Sequence, residues 1–191
     1  MTEDKPIVFI RGENVSLVPL NINHVEQYTA WQNDIRVRVY DRNAKPITVE
    51  QIKKHIEPKD EGAKKEISME IWHNKDKKAI GSCGFFNIRW FERICYMGLK
   101  IGEPEYWRKA HATESTSLLI DYGFKELNFH KIYAYTSTPN IASWKCVEKN
   151  GLTREAILKN DIYINGKYED TFVYSILKED WLKKENKSSN L

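Results

Sequence analysis

The sequence predicts a mixed α/β (α+β) fold in which a mostly antiparallel sheet of about seven strands is flanked by about four helices. Three observations predict it. Apolar and polar side chains alternate with a period of two over residues 67–101, which is typical of strands. Segments with a helical period lie on both sides of that stretch. Near the C-terminus, Asn165-Gly166 separates two β-rich runs, and this dipeptide is the strongest short signal for a hairpin.

The N-terminal third predicts one strand and two helices. Residues 15–20 alternate and form the first strand, after which Asn23 is placed to cap a helix. Thr48 lies three residues before Gln51, which is the capping-box pattern and predicts that a second helix starts there.

The middle of the chain predicts an antiparallel meander of three strands within 67–101. Its turns are the polar segment 74–79 and the dipeptide 91–92. Gly98 lies inside the third strand, where a glycine indicates either a bulge or a close backbone approach.

The remaining elements are a helix over 113–127, a strand over 131–138, a helix over 140–151 and the closing hairpin. Asn140 is a plausible N-cap of the last helix, and Gly151 is its C-terminal stop. We assign residues 1–183 to one domain and expect the lysine- and serine-rich segment 184–191 to be a disordered tail.

Composition excludes several classes of function. The net charge of +3, from 30 basic and 27 acidic residues, is too small to indicate a nucleic-acid or membrane partner. The chain contains no run of about 18 apolar residues, and its charged N-terminus does not resemble a signal peptide. Cys83, Cys95 and Cys146 have no metal-ligand spacing, so we expect reduced thiols, no metal site and a cytoplasmic location.

The unit that can carry chemistry is the succession of strand, loop, helix, strand and helix over 93–151. A strand with exposed backbone groups can pair with amide groups of a ligand, and a helix N-terminus offers N–H groups and a positive dipole end. Together they suit an extended ligand with an anionic end.

Three stretches in and after this unit resemble the GNAT acetyltransferase superfamily. They are IGEPEYW…ATE (101–114), N-x-x-S…EKNG (140–151) and NGKYED…Y (165–174). The resemblance begins at RGENVSLVPL (11–20), covers nearly the whole chain, and is closest to the branch that acetylates N-terminal amines of ribosomal proteins (RimJ/RimL-like).

The resemblance implies that acetyl-CoA is the cosubstrate. Its pantetheine arm would pair with the third strand of the meander, its pyrophosphate would lie over 107–113, and its thioester would approach Asn140. The implied cofactor-binding residues are Leu99, Ile101, Trp107, Arg108, Lys109, Ala110, His111, Ala112, Thr113 and Asn140.

The implied reaction is direct attack of a neutral amine on the thioester, which needs a base, oxyanion donors and an acid for the leaving thiolate. Ser143 matches the proposed thiolate acid. Tyr96 occupies the position where the branch has a glutamate, but a free tyrosine titrates at about pH 10 and is a poor base. Glu70 or Glu92 is the alternative source of a carboxylate base, and in that interpretation Tyr96 shapes the acceptor pocket.

The loop departs from the YWGKGYATE sequence that this branch favours, because the chain reads YWRKAHATE. If Ala110 has a positive φ, alanine adds strain of about 1 kcal/mol; otherwise only a methyl group is added. Arg108 and Lys109 either bind phosphate or point to solvent, and His111 either donates to phosphate or packs.

We therefore expect acetyl transfer from acetyl-CoA to the primary amine of a small molecule or a protein N-terminus. The alternative is a catalytically weak GNAT-fold protein that binds CoA or another ligand as a sensor or partner module. The family often dimerises, which adds a homodimer to the partners under consideration.

Overall fold

The computed structural model describes residues 6–41, 45–57 and 65–188, and its centre is one eight-stranded sheet in the order β1-β2-β3-β4-β5-β6-β8-β7. Neighbouring strands are antiparallel except for β5 and β6, which are parallel. The strands are β1 (Ile10–Arg11), β2 (Val15–Pro19), β3 (Ile67–His73), β4 (Lys78–Arg89), β5 (Ile94–Ile101), β6 (Lys131–Ser137), β7 (Thr153–Ile164) and β8 (Lys167–Leu177).

Six α-helices and two 3-10 turns accompany the sheet within the described residues. The helices are α1 (Val25–Asn33), α2 (Ile35–Arg38), α3 (Val49–Ile56), α4 (His111–Lys125), α5 (Ile141–Lys149) and α6 (Lys178–Ser188). The 3-10 turns are Ile22–His24 and Pro104–Tyr106. The mixed fold with one sheet is confirmed. The elements beyond the predicted counts include β1 and α2, which are too short to give a periodic signal.

The helix caps follow the sequence signals except at the first helix. Thr48 and Gln51 form the predicted capping box at the start of α3. The predicted cap at Asn23 is wrong, because the side chain of Asn21 accepts a hydrogen bond from the Asn23 backbone and starts a 3-10 turn instead. α1 then follows that turn directly.

The helices cover the two faces of the sheet and create two cores. Leu119 and Phe124 of α4 pack with Ile71 of β3 on one face, which we call the α4 face. Tyr28 of α1 packs with Trp72 of β3 on the opposite face, which we call the α1 face. Consecutive residues of β3 thus enter different cores, as expected for a strand buried on both sides.

β5 and β6 separate part-way along their length. Their parallel pairing is limited to three registered pairs, of which the last is Tyr96 with Tyr133. Beyond it β5 remains paired with β4 up to Ile101, and β6 remains paired with β8 up to Ser137. The two strands therefore bound an open space between residues 97–101 and 134–137, which we call the wedge.

Gly98 does not form a bulge. It lies directly opposite Gly84 in a regular part of the β4–β5 ladder, whose irregularity falls between Phe86 and Arg89. A Cβ atom at Gly98 would lie 3.3 Å from the Phe86 ring and 3.9 Å from the Tyr96 hydroxyl oxygen. Gly98 therefore leaves room for the Phe86 and Tyr96 side chains on the α1 face. The close approach predicted at this glycine is present, but side chains make it rather than backbone.

The C-terminal segment is more ordered than its composition indicates, because α6 continues through Ser188. The predicted disordered tail from residue 184 is thus wrong for its first five positions, and 189–191 lie outside the described residues. Trp181 anchors the helix: its ring lies 5.4 Å from that of Phe124, and its Nε1 donates to Asp121 at 2.9 Å. Of the helices in the described residues, none is long and apolar enough to cross a membrane.

Candidate active site

The wedge exposes backbone groups of β5. The N–H of Gly102 donates to the Ile80 carbonyl at 2.9 Å, on the β4 side of the strand. Because backbone groups alternate along a strand, those of Met97, Leu99 and Ile101 point to the opposite edge. No described strand pairs with that edge beyond the Tyr96–Tyr133 pair, so the Met97 carbonyl, both backbone groups of Leu99 and the Ile101 N–H are available to an extended ligand.

β6 forms the other side of the wedge. The N–H of Thr138 donates to the Asp170 carbonyl at 2.9 Å, so the same alternation directs the backbone of Tyr135 and Ser137 into the wedge. The Thr136 and Ser137 hydroxyls are buried and have no hydrogen-bond partner within the described residues. Buried donors of this kind are normally satisfied, and a ligand or water in the wedge is one way to satisfy them.

The loop after β5 is tied to the sheet by its aromatic residues. The indole Nε1 of Trp107 donates to the Ile101 carbonyl at 2.9 Å, and the Tyr106 hydroxyl donates to Asp76. This bond to Asp76, aided by burial, raises the pKa of Tyr106 to about 12. Trp107 therefore acts on the loop conformation, and it leaves only the N–H of Ile101 for a ligand.

Two residues of the loop adopt the left-handed conformation without being glycine. Arg108 has φ 60°, and Ala110 has φ 64° and ψ 0°. This conformation costs an L-residue about 1–2 kcal/mol. Of the two conformations considered for Ala110, the structure has the one with positive φ. The loop thus keeps positive φ at both positions where the related motif has glycine.

The loop delivers the chain into an uncapped helix N-terminus. The first hydrogen bond of α4 runs from the Glu114 N–H to the Ala110 carbonyl at 3.0 Å, and no described side chain caps the helix. The N–H groups of His111, Ala112 and Thr113 consequently have no intrahelical acceptor. With the helix dipole they form a site for an anion such as a phosphate.

The basic side chains of the loop take different directions. Arg108 is exposed and makes no ion pair with any described residue. The Lys109 ammonium lies 5.3 Å from the centre of the Tyr106 ring, a cation–π distance. Arg108 is thus available to a bound anion, whereas Lys109 must leave Tyr106 to reach one.

His111 packs rather than pointing to solvent. It is 7% exposed, and its ring centre lies 4.9 Å from that of His73 and 5.9 Å from that of Tyr106. Burial, followed by the nearby His73, lowers the pKa of His111, so the ring is neutral at neutral pH. A neutral buried ring favours the packing alternative over donation to phosphate, although its Nδ1 has no partner within the described ranges.

The start of α5 holds the second group of predicted site residues. The Asn140 side chain accepts a hydrogen bond from the Ser143 N–H at 3.3 Å, which confirms its capping role. Ser143 is half-buried in the first turn of α5, six residues after Ser137, which is the last wedge residue of β6. At the other end of α5, the Asn150 amide donates to the Thr113 carbonyl at 3.2 Å and joins this helix to the start of α4.

Tyr96 lies at the apex of the wedge, in the last residue pair that joins β5 to β6. Its ring centre is 5.3 Å from that of Tyr135 and 6.0 Å from that of Phe86. Its hydroxyl extends over Gly98 on the α1 face. This placement is compatible with both predicted roles of Tyr96, in proton transfer and in shaping an acceptor pocket.

The two carboxylates considered as bases lie elsewhere. Glu70 is fully buried on β3, two strands or about 10 Å from β5. It binds His24 at 2.7 Å and accepts from Tyr28, whose pKa is raised by burial and by that bond. Glu92 lies in the exposed turn between β4 and β5, 4.0 Å from Arg89. Neither is placed to take a proton at the wedge.

Residues 14–153 match the family of acetyltransferase (GNAT) domains, over more than two thirds of the chain. The chain belongs to the GNAT family. The parting of β5 and β6 and the uncapped N-terminus of α4 both lie within the matched residues.

Two proteins of Bacillus subtilis are similar in sequence. The uncharacterized N-acetyltransferase YnaD is 37% identical over 78 residues, which are 41% of this chain and 46% of YnaD. YjcK, named a probable N-acetyltransferase, is 29% identical over 182 residues, which are 90% of this chain and 98% of YjcK. The chain therefore spans less than half of the first relative and nearly all of the second.

Among solved structures, the chain resembles spermidine N-acetyltransferase from Vibrio cholerae in complex with CoA and spermine. The TM-score is 0.79 at 23% identity, with 90% of this chain and 99% of the other covered. At this identity the likeness establishes the shared fold.

The unit predicted from the sequence contains the wedge and the start of α4, but the prediction did not name all the residues that line them. It did not find Met97, Tyr135 or Ser137, whose backbone groups face the wedge. The alternation of 131–138 was visible in the sequence, but only the strand register decides which residues face the open edge.

Proposed function

We propose that the protein transfers the acetyl group of acetyl-CoA to a primary amine. The observation that carries this proposal is the continuity between the open edge of β5 and the uncapped N-terminus of α4. One element offers backbone partners for amides, and the next offers N–H groups for phosphates. Acetyl-CoA joins two amides to a diphosphate in the same order.

The length of the wedge supports this assignment. Residues 97–101 are extended and rise about 16 Å, which an extended pantetheine arm can follow. With the diphosphate on the N–H groups of 111–113, the arm runs back along β5 and brings the thioester to the apex near Tyr96. We assign Leu99 and Ile101 to binding of the arm, and Arg108 to the diphosphate.

The chemistry at the apex is direct aminolysis. The neutral amine attacks the thioester carbonyl carbon, the C–N bond forms, and the C–S bond breaks with departure of the thiolate. A backbone N–H of the wedge steadies the oxyanion, and the Ser143 hydroxyl supplies a proton to the sulfur while it recovers one from solvent water. With Glu70 and Glu92 away from the wedge, we assign transfer of the amine proton to water held near the Tyr96 hydroxyl.

Two classes of amine acceptor are proposed, a protein N-terminus and a small molecule. The RimJ/RimL-like motifs support an N-terminal amine of a protein, whereas the spermine-bound relative makes a small-molecule amine the second candidate. A homodimer and a cytoplasmic location remain parts of the same proposal.

Asp170, in the closing motif, accepts from the Asn160 N–H at 3.0 Å and pairs with Lys159 at 2.8 Å, which gives it a structural role in the β7–β8 hairpin.

The test is a calorimetric titration of acetyl-CoA and CoA, combined with thermal unfolding. At a ligand concentration of 100 times Kd, binding adds about 2.7 kcal/mol to the free energy of unfolding. Ala112→Asp, which places a carboxylate at the helix N-terminus, should abolish binding without destabilising the helix, whereas the isosteric Ala112→Asn should retain it. Absence of binding at millimolar acetyl-CoA would refute the proposal.

Release of CoA thiol with an amine library then separates the enzyme from its alternative. Thiol release that depends on both substrates supports the transferase. Tight binding without release in the presence of any amine would instead favour a sensor or partner module.

A further inference from the structure

A cavity of about 560 Å³ adjoins the apex of the wedge and extends the candidate site beyond the cofactor. Tyr96, Tyr133 and Tyr135 line it. They lie on the sheet face opposite α4, because the residues that alternate with them, such as Ile132 and Ala134, belong to the core of the α4 face. A larger cavity of about 920 Å³ lies near β1 and the β3–β4 turn, away from the wedge.

Among the residues that the structure describes, the charged side chains that line the apex cavity have one sign. Lys65 and Arg89 line it, and no Asp or Glu of the described residues does. Lys65 makes no ion pair within the described ranges, and Arg89 is 57% exposed with Glu92 4.0 Å away. The positive charge of the neighbouring Lys131 is compensated by an ion pair, because its ammonium lies 2.6 Å from the Glu155 carboxylate.

The aromatic lining adds a shape preference. Tyr135 is 43% exposed, and its ring meets that of Tyr96 in an edge-to-face arrangement with an interplanar angle of 60°. Rings in this arrangement leave an exposed face against which a planar group can pack. The cavity thus combines a flat aromatic wall with two cationic side chains at its margin.

We infer that the amine acceptor is a planar, aromatic molecule that also carries an anionic group, and that it binds in this cavity with its amine at the apex. The inference rests on the proposed acetyl transfer, because that function places the thioester beside Tyr96. A polyamine fits the cavity poorly, since its several positive charges would meet Lys65 and Arg89, and none of the described residues that line the cavity offers a carboxylate to bind them.

The same cations have a consequence for the amine itself. Nearby positive charges disfavour the ammonium form and increase the fraction of neutral amine, which is the nucleophile. The apex has no carboxylate base in Glu70 or Glu92. The cation that is left unpaired by the anionic group of the acceptor can therefore supply part of what a base supplies elsewhere.

The test uses three amine probes with acetyl-CoA: 4-(aminomethyl)benzoate, the matching uncharged 4-(aminomethyl)benzamide, and spermidine. We expect kcat/KM for the benzoate to exceed that for the benzamide about fivefold, the ratio that corresponds to about 1 kcal/mol. Spermidine should be the poorest of the three. In the double variant Lys65→Glu/Arg89→Glu the benzoate should lose its advantage and spermidine should improve.

A matched control carries the same change in net charge away from the cavity. Lys53→Glu/Lys183→Glu should leave the order of the three probes as in the wild type. Probe binding to the CoA-bound protein and to the free protein is measured in parallel by calorimetry, so the charge preference is tested even without turnover.

The outcomes separate this inference from the proposed function. Acetylation of the probes with no preference for the benzoate, or with a preference for spermidine, overturns the inference and leaves acetyl transfer intact. Failure of acetyl-CoA to bind overturns the proposed function. In that case, whether the free protein binds the benzoate more tightly than the other two probes decides the charge preference of the cavity. If no probe binds or reacts, the inference is wrong.

Discussion

Replacing Ala110 with glycine should stabilise the protein, although such a change usually destabilises. Ala110 has φ 64° and ψ 0°, a conformation in which its Cβ approaches the following carbonyl oxygen. Glycine has no Cβ and adopts this conformation at no steric cost. The substitution keeps the backbone N–H, so it leaves the anion site at the start of α4 intact.

The expected magnitude is the difference between two opposing effects. Relief of the left-handed conformation contributes about 1–2 kcal/mol. The greater freedom of glycine in the unfolded chain removes about 0.4–1 kcal/mol. The net gain is about 1 kcal/mol in the free energy of unfolding, or about 2–4 °C in Tm for a chain of this length.

The assay is thermal and urea unfolding of the free protein, with Ala112→Gly as the matched control. Ala112 lies in the first turn of α4 and is absent from the residues with positive φ. Glycine there should lower the free energy of unfolding by up to about 1 kcal/mol. The two variants should thus differ in sign, and equal destabilisation by both would refute the left-handed conformation of Ala110.

Three further predictions address function and pH. Ser143→Ala should lower kcat roughly 10²-fold with little change in acetyl-CoA Kd, since it removes a proton donor; an unchanged rate would exclude Ser143 from the mechanism. Arg108→Ala should weaken CoA binding up to about fivefold and reduce its salt dependence; equal affinities by calorimetry would make Arg108 a surface residue without a role. Because the pKa of His111 is lowered on folding, the unfolded chain binds the proton more tightly. Stability should therefore fall as the pH drops below the ordinary histidine pKa of about 6.5, and His111→Phe should reduce that fall between about pH 7 and 5 in urea unfolding. Parallel curves for His111→Phe and the wild type would contradict it.

Three local signals in the sequence predicted the local structure correctly. The capping box at Thr48, the cap at Asn140 and the hairpin at Asn165-Gly166 each depend on a few adjacent residues. Asn165 and Gly166 both have positive φ, as this turn requires. Tertiary context has little influence on such features, so one sequence suffices to find them.

The features that the sequence did not predict depend on contacts between distant segments. Which residues of β6 face the wedge follows from its register with β8, and the burial of Glu70 follows from α1 packing over β3. The failure at Asn23 has a different cause. Asn21 and Asn23 are both good capping residues, and the 3-10 turn, which begins at Ile22 and includes Asn23, decides that Asn21 is used.

The strained loop shows how tertiary contacts replace a sequence signal. Residues other than glycine keep a left-handed backbone conformation only where their surroundings fix it. Here Trp107 holds the loop to the Ile101 carbonyl on one side, and His111 is packed against His73 on the other. These contacts fix both ends of the segment 107–111, which contains Arg108 and Ala110.

It follows that the loop conformation should depend on its flanking residues more than on those it contains. Trp107→Phe keeps the ring but removes the hydrogen bond to Ile101, so it frees one end of the connection. The left-handed residues can then relax, and we expect weaker acetyl-CoA binding in this variant. Adding Ala110→Gly should restore much of that affinity, because glycine adopts the required angle without strain. If the double variant binds no better than Trp107→Phe alone in calorimetry, Trp107 acts by direct contact with the ligand rather than through the loop.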